Sequence, residues 1–354
     1  MRIFSSLGRC MVGLAAAVTL VTGLANIESA NAAGILSVVP PVGVPKLNIP
    51  GAYGKPVHIM PTSQMAAQMR AARTAAPPPV LNYHGGRIMT PVVSIYTIYW
   101  KPAGTTMAAN YQFVLNRMML NYGGHAIANI NTQYYQTVGA VTTYSSGIGY
   151  YSGIYSDTAP YPASGCSTYA VPGVTPIACL TDAQLQAEIT RVMAISAVGK
   201  PVWTPGFNKI YLIYTAQGVE SCSGSGCAYT AYCAYHSYLG SPSNPTIYAN
   251  EPYGEPSFCA GASGFPNGGG GFADSAATAA RHEISEASTD PTFLGWYDSG
   301  TGQENSDQCA YQYGTNTWDA GLANYMWGGT FLELQMEYSQ HASGGAGGCV
   351  QQGP

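Results

Sequence analysis

The chain has 354 residues, of which only 8% are charged, and its formal net charge at pH 7 is −4. This small negative charge, without any cluster of basic residues, argues against nucleic acid as a partner. With so few charges, solubility depends on hydroxyl and amide groups, a composition that is common in exported proteins.

Residues 1–32 have the pattern of a secretory signal peptide. Arg2 and Arg9 give a basic start, residues 11–24 form an apolar run, and Ala30-Asn31-Ala32 offers a small-x-small cleavage site. The apolar run is too short for a convincing transmembrane helix, and no later segment is apolar enough. We therefore predict a mature protein without a membrane span that is secreted, whether extracellular or periplasmic.

Residues 33–80 are rich in Pro, Ala and Gly, with the run AAPPP at 75–79. This composition predicts an extended, partly disordered leader. The sequence does not tell whether the leader is an inhibitory propeptide or a tether. We predict that residues 81–354 form a single catalytic-like globular domain.

Within this domain, two strand patterns alternate with two helix patterns. The β-branched and aromatic runs at 92–100 and 209–215 predict buried strands, and helical spacing predicts helices over 108–120 and 181–194. The second helix opens with a capping box at Thr181 and Gln184. Strands that are each tied to a helix predict an α/β (α+β) fold, a layered core of a mixed sheet with packed helices.

Residues 330–338 alternate between apolar and polar side chains. Leu332 and Leu334 share one face with Met336, whereas Glu333 and Gln335 point the other way. This period predicts a half-exposed strand.

One of the nine cysteines, Cys10, lies in the signal peptide. The other eight, an even number in an exported chain, predict disulfide-stapled loops rather than a four-cysteine zinc site. Cys166 with Cys179 and Cys309 with Cys349 are candidate local pairs, although sequence leaves the connectivity open. The eight are Cys166, Cys179, Cys222, Cys227, Cys233, Cys259, Cys309 and Cys349.

The most informative motif is His282-Glu283-Ile284-Ser285-Glu286, within a helix predicted over 275–289 with Asp274 as its N-cap. In the zinc-peptidase motif H-E-x-x-H, two ligands at i and i+4 share one helix face beside a glutamate base. Here Glu286 replaces the second histidine, and zinc also accepts carboxylate oxygen. We predict His282 and Glu286 as zinc ligands and Glu283 as general base. The alternative is an ordinary helix whose glutamates are solvated.

A catalytic zinc needs a third protein ligand. Most carboxylates of the mature chain lie in the stretch from 274 to 337, and we predict Asp307 as the ligand, with Glu304 next. A bridged Cys309 would hold their loop rigid. His236 is a further candidate, although a histidine beside a bridge is more often structural. Calcium is a less favoured variant, because it prefers an all-oxygen shell and His282 is a nitrogen ligand.

Several motifs in the same order resemble the phosphate-induced, EXORDIUM-like secreted proteins. They are Tyr83-His84-Gly85-Gly86 before the strand ending at Trp100, Gln133-Tyr134-Tyr135, the segments 180–185 and 233–237, His282-Glu283-x-x-Glu286 with Thr289-Asp290-Pro291, Gly295-Trp296-Tyr297-Asp298, the segment 304–309, and Gly348-Cys349. The resemblance implies an exported protein, with the zincin-like fold of bacterial members that retain the H-E-x-x-E residues. Glu304-Asn305-Ser306-Asp307 departs from the family pattern, which has a glycine before the aspartate.

Two functional hypotheses follow. The first is a secreted zinc-dependent hydrolase, a metallopeptidase that uses a metal-activated water on a peptide or protein substrate. The second is a non-enzymatic extracellular or cell-wall-associated protein that binds glycan or peptide through its tyrosines, with a structural metal or none.

Overall fold

A seven-stranded mixed sheet forms the centre of the fold in the computed structural model, which describes residues 45–73, 80–168, 171, 173–197, 200–260 and 264–353. The predicted signal peptide and the proline run at 75–79 lie outside the described residues. The described residues from Pro45 onward form one compact unit.

The strands, in chain order, are β1 Asn48–Pro50, β2 Pro56–Pro61, β3 Leu81–Tyr83, β4 Val93–Trp100, β5 Tyr135–Val138, β6 Val141–Tyr144, β7 Gly149–Asp157, β8 Ala178–Thr181, β9 Lys209–Thr215, β10 Val219–Ser223, β11 Gly226–Cys227, β12 Tyr232–Ser241, β13 Asn244–Glu251, β14 Trp296–Asp298, β15 Tyr325–Trp327, β16 Thr330–Leu332, β17 Glu337–Ser339 and β18 Gly348–Val350.

The α-helices are α1 Ser63–Arg73, α2 Tyr111–Asn121, α3 Asp182–Ala194, α4 Pro256–Cys259, α5 Phe272–Thr289 and α6 Ala342–Gly345. Short 3-10 helices span Ala52–Gly54, Ala128–Gln133, Gly269–Gly271, Asp307–Cys309 and Asp319–Gly321.

The order in the central sheet is β1-β2-β12-β13-β9-β4-β7. The pairs β13–β9, β9–β4 and β4–β7 are parallel. The pairs β1–β2, β2–β12 and β12–β13 are antiparallel. The central strands are almost wholly apolar because both faces of the sheet are covered. Strand β9 shows this best, since Ile210 and Leu212 enter one core while Tyr211 and Ile213 enter the other.

Helices α2 and α5 pack on one face of the sheet, and α1 and α3 pack on the other. This arrangement confirms the predicted fold class, a mixed sheet with packed helices. The four predicted elements are present as β4, β9, α2 and α3. The capping box is also present, since Gln184 N donates to Thr181 Oγ1 at 3.3 Å and Thr181 N donates to Gln184 Oε1 at 2.9 Å.

The predicted disordered leader is wrong for residues 45–73. These residues form β1, β2 and α1, and β2 is inserted into the sheet between β1 and β12. Val57 and Ile59 are at most 1% exposed. The segment looks weak in sequence because β2 is short and bounded by prolines. Strand β2 is stabilised by pairing with β12, which lies about 175 residues further along the chain.

The predicted half-exposed strand at 330–338 is also wrong. Residues 330–332 and 337–339 are separate short strands, and Glu333, Gln335 and Glu337 are at most 5% exposed. Their polar partners lie inside the protein, as the Arg281–Glu337 ion pair shows. Alternation cannot distinguish a face turned to water from a face turned to buried polar groups.

Four disulfides join Cys166 to Cys179, Cys222 to Cys227, Cys233 to Cys259, and Cys309 to Cys349. All eight predicted cysteines are therefore bridged, and both candidate local pairs are confirmed. Among the described residues, no helix combines the length and the apolar character that a membrane crossing requires.

Candidate metal centre

Helix α5 carries the motif into the interior of the protein. Its N-cap is Gly271, which has a left-handed φ of 79° that glycine adopts without strain, rather than the predicted Asp274. Its apolar stripe, which includes Ala277, Ala280 and Ile284, packs against the sheet. Because the stripe is mostly alanine, the helix lies close to the strands and contacts β2, β12 and β13. Every residue of α5 from Ala273 to Thr289 is buried.

The first half of the centre contains His58, His282, Glu286 and Asp307, all at most 4% exposed. His282 Nε2 lies 2.9 Å from Glu286 Oε1 and 3.6 Å from Asp307 Oδ1. His58 Nε2 lies 2.7 Å from Asp307 Oδ2 and 3.9 Å from Glu286 Oε2. Both imidazoles therefore face the same two carboxylates. Ligand atoms of His58, Glu286 and Asp307 all lie within 4.8 Å of one another, close enough to hold one cation, and His282 adjoins this group.

The second half contains His236 and Glu283, again with Glu286. His236 Nδ1 lies 3.2 Å from Glu283 Oε2 and 3.8 Å from Glu286 Oε2. His236 on β12 stands directly opposite His58 on β2 in the antiparallel register, and the two ring centroids are 5.6 Å apart. The two halves are therefore adjacent and share Glu286.

Glu304 lies behind the two strand histidines. Its Oε1 is 3.3 Å from His58 Nδ1, and its Oε2 is 3.8 Å from His236 Nε2. These are the ring nitrogens that do not approach Glu286. The Glu304 carboxylate thus lies behind both rings, on the side where carboxylates stand behind metal-bound histidines, and its Oε2 makes no hydrogen bond to His236 Nε2.

Further hydrogen bonds hold the first half in place. His58 Nδ1 lies 3.0 Å from Asn48 Oδ1, while Nε2 is within hydrogen-bonding distance of Asp307 Oδ2 at 2.7 Å. With the proton on Nδ1, Nε2 would be the nitrogen that binds a cation. The backbone N–H of Asp307 donates to Glu286 Oε1 at 3.0 Å. His282 Nδ1 lies 3.0 Å from the side-chain amide of Gln335, one of the residues expected to be exposed.

The loop that carries Asp307 is fixed to the interior at several points. Residues 303–309 are all at most 4% exposed. Ser306 Oγ donates to Glu337 Oε2 at 3.0 Å, and Asn305 Nδ2 donates to Asn131 Oδ1 at 3.0 Å. The Cys309–Cys349 bridge closes the far end of the loop. A ligand position requires such rigidity.

Electrostatic coupling within the centre is strong. Burial raises the pKa values of Glu283, Glu286 and Glu304. Burial by itself would lower the pKa of His58 and of His282, but the neighbouring carboxylates outweigh it and raise both. The buried carboxylates therefore require compensating positive charge, which either protons or a cation can supply.

His236 and Asp307 shift in opposite senses. Burial and the nearby His58 hold the pKa of His236 well below its usual range, so this ring is neutral. Burial alone would raise the pKa of Asp307, but His58 and His282 lower it overall. Asp307 is thus favoured in the ionised form that metal binding requires.

Several polar atoms of the centre make no hydrogen bond to any described residue, although they are fully buried. Such atoms are rare in folded proteins and call for a partner, such as an ion. They are His236 Nε2, His282 Nε2, Glu283 Oε1, Glu286 Oε2, Glu304 Oε2 and Asp307 Oδ1.

The structure thus brings together all five residues predicted from sequence, namely His282, Glu283, Glu286, Asp307 and Glu304. It adds His236, which was weighed as a candidate, and His58, which sequence reasoning missed. The only signal for His58 is the alternation of β2, which places it on the face opposite Val57 and Ile59. Asp290, the residue that follows α5, has its Oδ1 already engaged, because it accepts from the backbone N–H groups of Leu294 and Gly295.

Comparisons of the chain with profiles of protein families, with curated proteins and with solved structures yield no significant match. The resemblance to the EXORDIUM-like proteins stays a prediction based on the motifs given above.

Proposed function

We propose that the chain is a secreted zinc-dependent hydrolase, a metallopeptidase acting on a peptide or protein substrate. The observation that carries this proposal is the set of buried, unpartnered nitrogen and oxygen atoms that converge from β12, α5 and the 304–307 loop, beside His58 of β2. The four disulfides agree with an exported protein.

The ligand set proposed for zinc is His58, His282, Glu286 and Asp307. Two imidazole nitrogens among the donors favour zinc over calcium, which selects oxygen. A catalytic zinc keeps one position open, so three of the four would bind while one carboxylate moves aside. A zinc ion held here would act as a Lewis acid and would lower the pKa of a coordinated water.

Glu283 is proposed as the general base. It is adjacent to His282 on α5, its Oε1 is unpartnered, and its Oε2 lies 3.2 Å from His236 Nδ1. Burial raises the pKa of Glu283, which makes this carboxylate a stronger proton acceptor than a solvated glutamate. His236 helps to position this carboxylate, since Nδ1 lies within hydrogen-bonding distance of Oε2.

Access to the centre would be controlled by the segment after α5. Phe293 is partly exposed and packs on His236 with ring centroids 5.4 Å apart. It has a φ of 63°, a strained conformation for a bulky residue. Phe293 and the 53% exposed Leu294 would thus form the outer cover of His236.

The test combines metal analysis with hydrolysis of a quenched fluorescent protein substrate. We expect bound zinc, and we expect Glu283→Gln to lower turnover by about 10²–10⁴-fold while zinc remains bound at His58 and His282. Glu188→Gln, a buried carboxylate on α3 outside the centre, is the matched control. Absence of zinc, together with no effect of chelator on stability, would refute the proposed zinc site. Unchanged turnover in Glu283→Gln would refute the role of Glu283 as general base.

The second candidate function is a non-enzymatic cell-wall-associated protein that binds glycan or peptide around a structural ion. The observation favouring it is the burial of all four proposed ligands, because structural zinc sites are closed by four protein donors. Binding to isolated wall polysaccharide that persists in His282→Ala, combined with no hydrolysis by the zinc-loaded protein, would select this function.

A further inference from the structure

The zinc ligand set proposed above leaves out one imidazole of the centre, His236, and two carboxylates, Glu283 and Glu304. His236 and Glu283 stand beside that ligand set, are 0% exposed, and form a second group of candidate ligands together with Glu286. His236 Nε2 and Glu283 Oε1 lack hydrogen-bond partners among the described residues. A single ion bound between His58 and His282 would leave this group without a cation.

The geometry places Glu286 Oε2 between two imidazole nitrogens. It lies 3.9 Å from His58 Nε2 and 3.8 Å from His236 Nδ1, and it makes no hydrogen bond itself. Zinc–ligand bonds of about 2.0–2.2 Å put neighbouring ligand atoms about 3.3–3.5 Å apart around a tetrahedral ion. Each of the two nitrogen–oxygen distances, 3.9 Å and 3.8 Å, therefore exceeds the distance between two ligand atoms of one zinc ion by only a few tenths of an ångström.

Charge balance points the same way. Glu283, Glu286, Glu304 and Asp307 would carry four negative charges in a region where each is at most 4% exposed, and buried Glu251 and Asp290 interact electrostatically with Glu283 and Glu304. One divalent cation would compensate less of this charge than two. Arg281 is engaged by Glu337, and Arg73 interacts electrostatically with Asp307.

The position of Glu304 is explained by two ions and not by one. Its Oε1 lies 3.3 Å from His58 Nδ1 and its Oε2 lies 3.8 Å from His236 Nε2, so its charge lies behind one histidine on each side. A carboxylate behind a histidine raises the basicity of the ligand nitrogen. A centre with one ion would use only half of this arrangement.

We infer that the centre binds two divalent cations bridged by Glu286, the second held by His236 Nδ1, Glu283 Oε2 and Glu286 Oε2. This inference rests on the proposed function for the first ion, bound by His58, His282 and Asp307. Two-ion hydrolase sites have their ions about 3.5–4 Å apart, a separation that one bridging carboxylate spans. Glu283 would bind through Oε2 only, which leaves Oε1 available to accept a proton.

The experiment measures zinc per chain. The purified mature protein is stripped with chelator, reloaded with excess zinc, separated from free zinc by gel filtration and analysed by mass spectrometry. We expect about two zinc ions per wild-type chain and about one in His236→Gln. His125→Ala, in a histidine that stacks on Trp327 away from the centre, is the control and should keep about two.

The outcomes separate the two proposals. About one zinc in the wild-type protein would overturn the second ion and leave the proposed function standing, whereas none would overturn both. If His236→Gln does not fold, cobalt loading of the wild type replaces it. Two cobalt ions bridged by Glu286 should be magnetically coupled and so lose paramagnetic resonance intensity. Two full, independent signals would overturn the bridge.

Discussion

The substitution His58→Ala tests the contact between strand β2 and the candidate metal centre. His58 is 0% exposed, and its Nε2 lies 2.7 Å from Asp307 Oδ2. Removing one partner of a buried charged pair destabilises a fold by about 3–5 kcal/mol. At about 2–4 °C per kcal/mol, the stripped variant should unfold about 6–20 °C below the stripped wild-type protein.

The same substitution should weaken zinc binding. Replacing residues that only support metal ligands already lowers affinity by about 10–100-fold, so losing a ligand should cost at least about 100-fold. Zinc affinity is measured by competition with a chromophoric chelator, and the unfolding temperature is recorded with and without zinc. Zinc at 100 times its Kd should stabilise the wild-type protein by about 2.7 kcal/mol. This stabilisation should largely disappear in His58→Ala.

Two controls protect this interpretation. His125→Ala removes a histidine outside the centre and should keep wild-type zinc affinity. His58→Gln retains a polar side chain of similar size and should fold even if the alanine variant does not. Wild-type zinc affinity in folded His58→Gln and His58→Ala would refute the assignment of His58 as a ligand.

Three further predictions concern the surroundings of the centre. Asn48→Ala removes the acceptor beside His58 Nδ1 and should weaken zinc binding by about tenfold without unfolding the protein, as measured by chelator competition. Replacing both Cys309 and Cys349 by serine opens a bridge that spans 40 residues and should lower stability by about 3–4 kcal/mol in denaturant unfolding; unchanged stability would contradict this. Burial raises the pKa of Asp274 to about 6 from 3.8, so the folded protein binds this proton more tightly, and stability should fall by about 3 kcal/mol as pH rises through that window. Unfolding curves of Asp274→Asn recorded between pH 3.5 and pH 6.5 should lack this slope, and a slope equal to that of the wild-type protein would refute it.

Local patterns in the sequence determined a large part of the fold. Strands β4 and β9 are recognisable because continuous β-branched and aromatic runs suit strands covered on both faces. Helix α3 is recognisable from its capping box, and the predicted signal peptide, together with an even number of cysteines, predicted the bridged cysteines. The spacing of His282 and Glu286 likewise places both side chains on one face of α5, whatever surrounds the helix.

Only the tertiary structure decided which other residues join that helix. His58 reaches the centre because β2 pairs with β12, and this pairing depends on a partner about 175 residues away rather than on the proline-bounded sequence of β2. Gln335 alternates as an exposed strand residue would, yet it contacts His282 inside the protein. Hydrophobic periodicity indicates which side chains do not face the apolar core. Whether such a side chain meets water or a buried polar centre is determined by long-range packing.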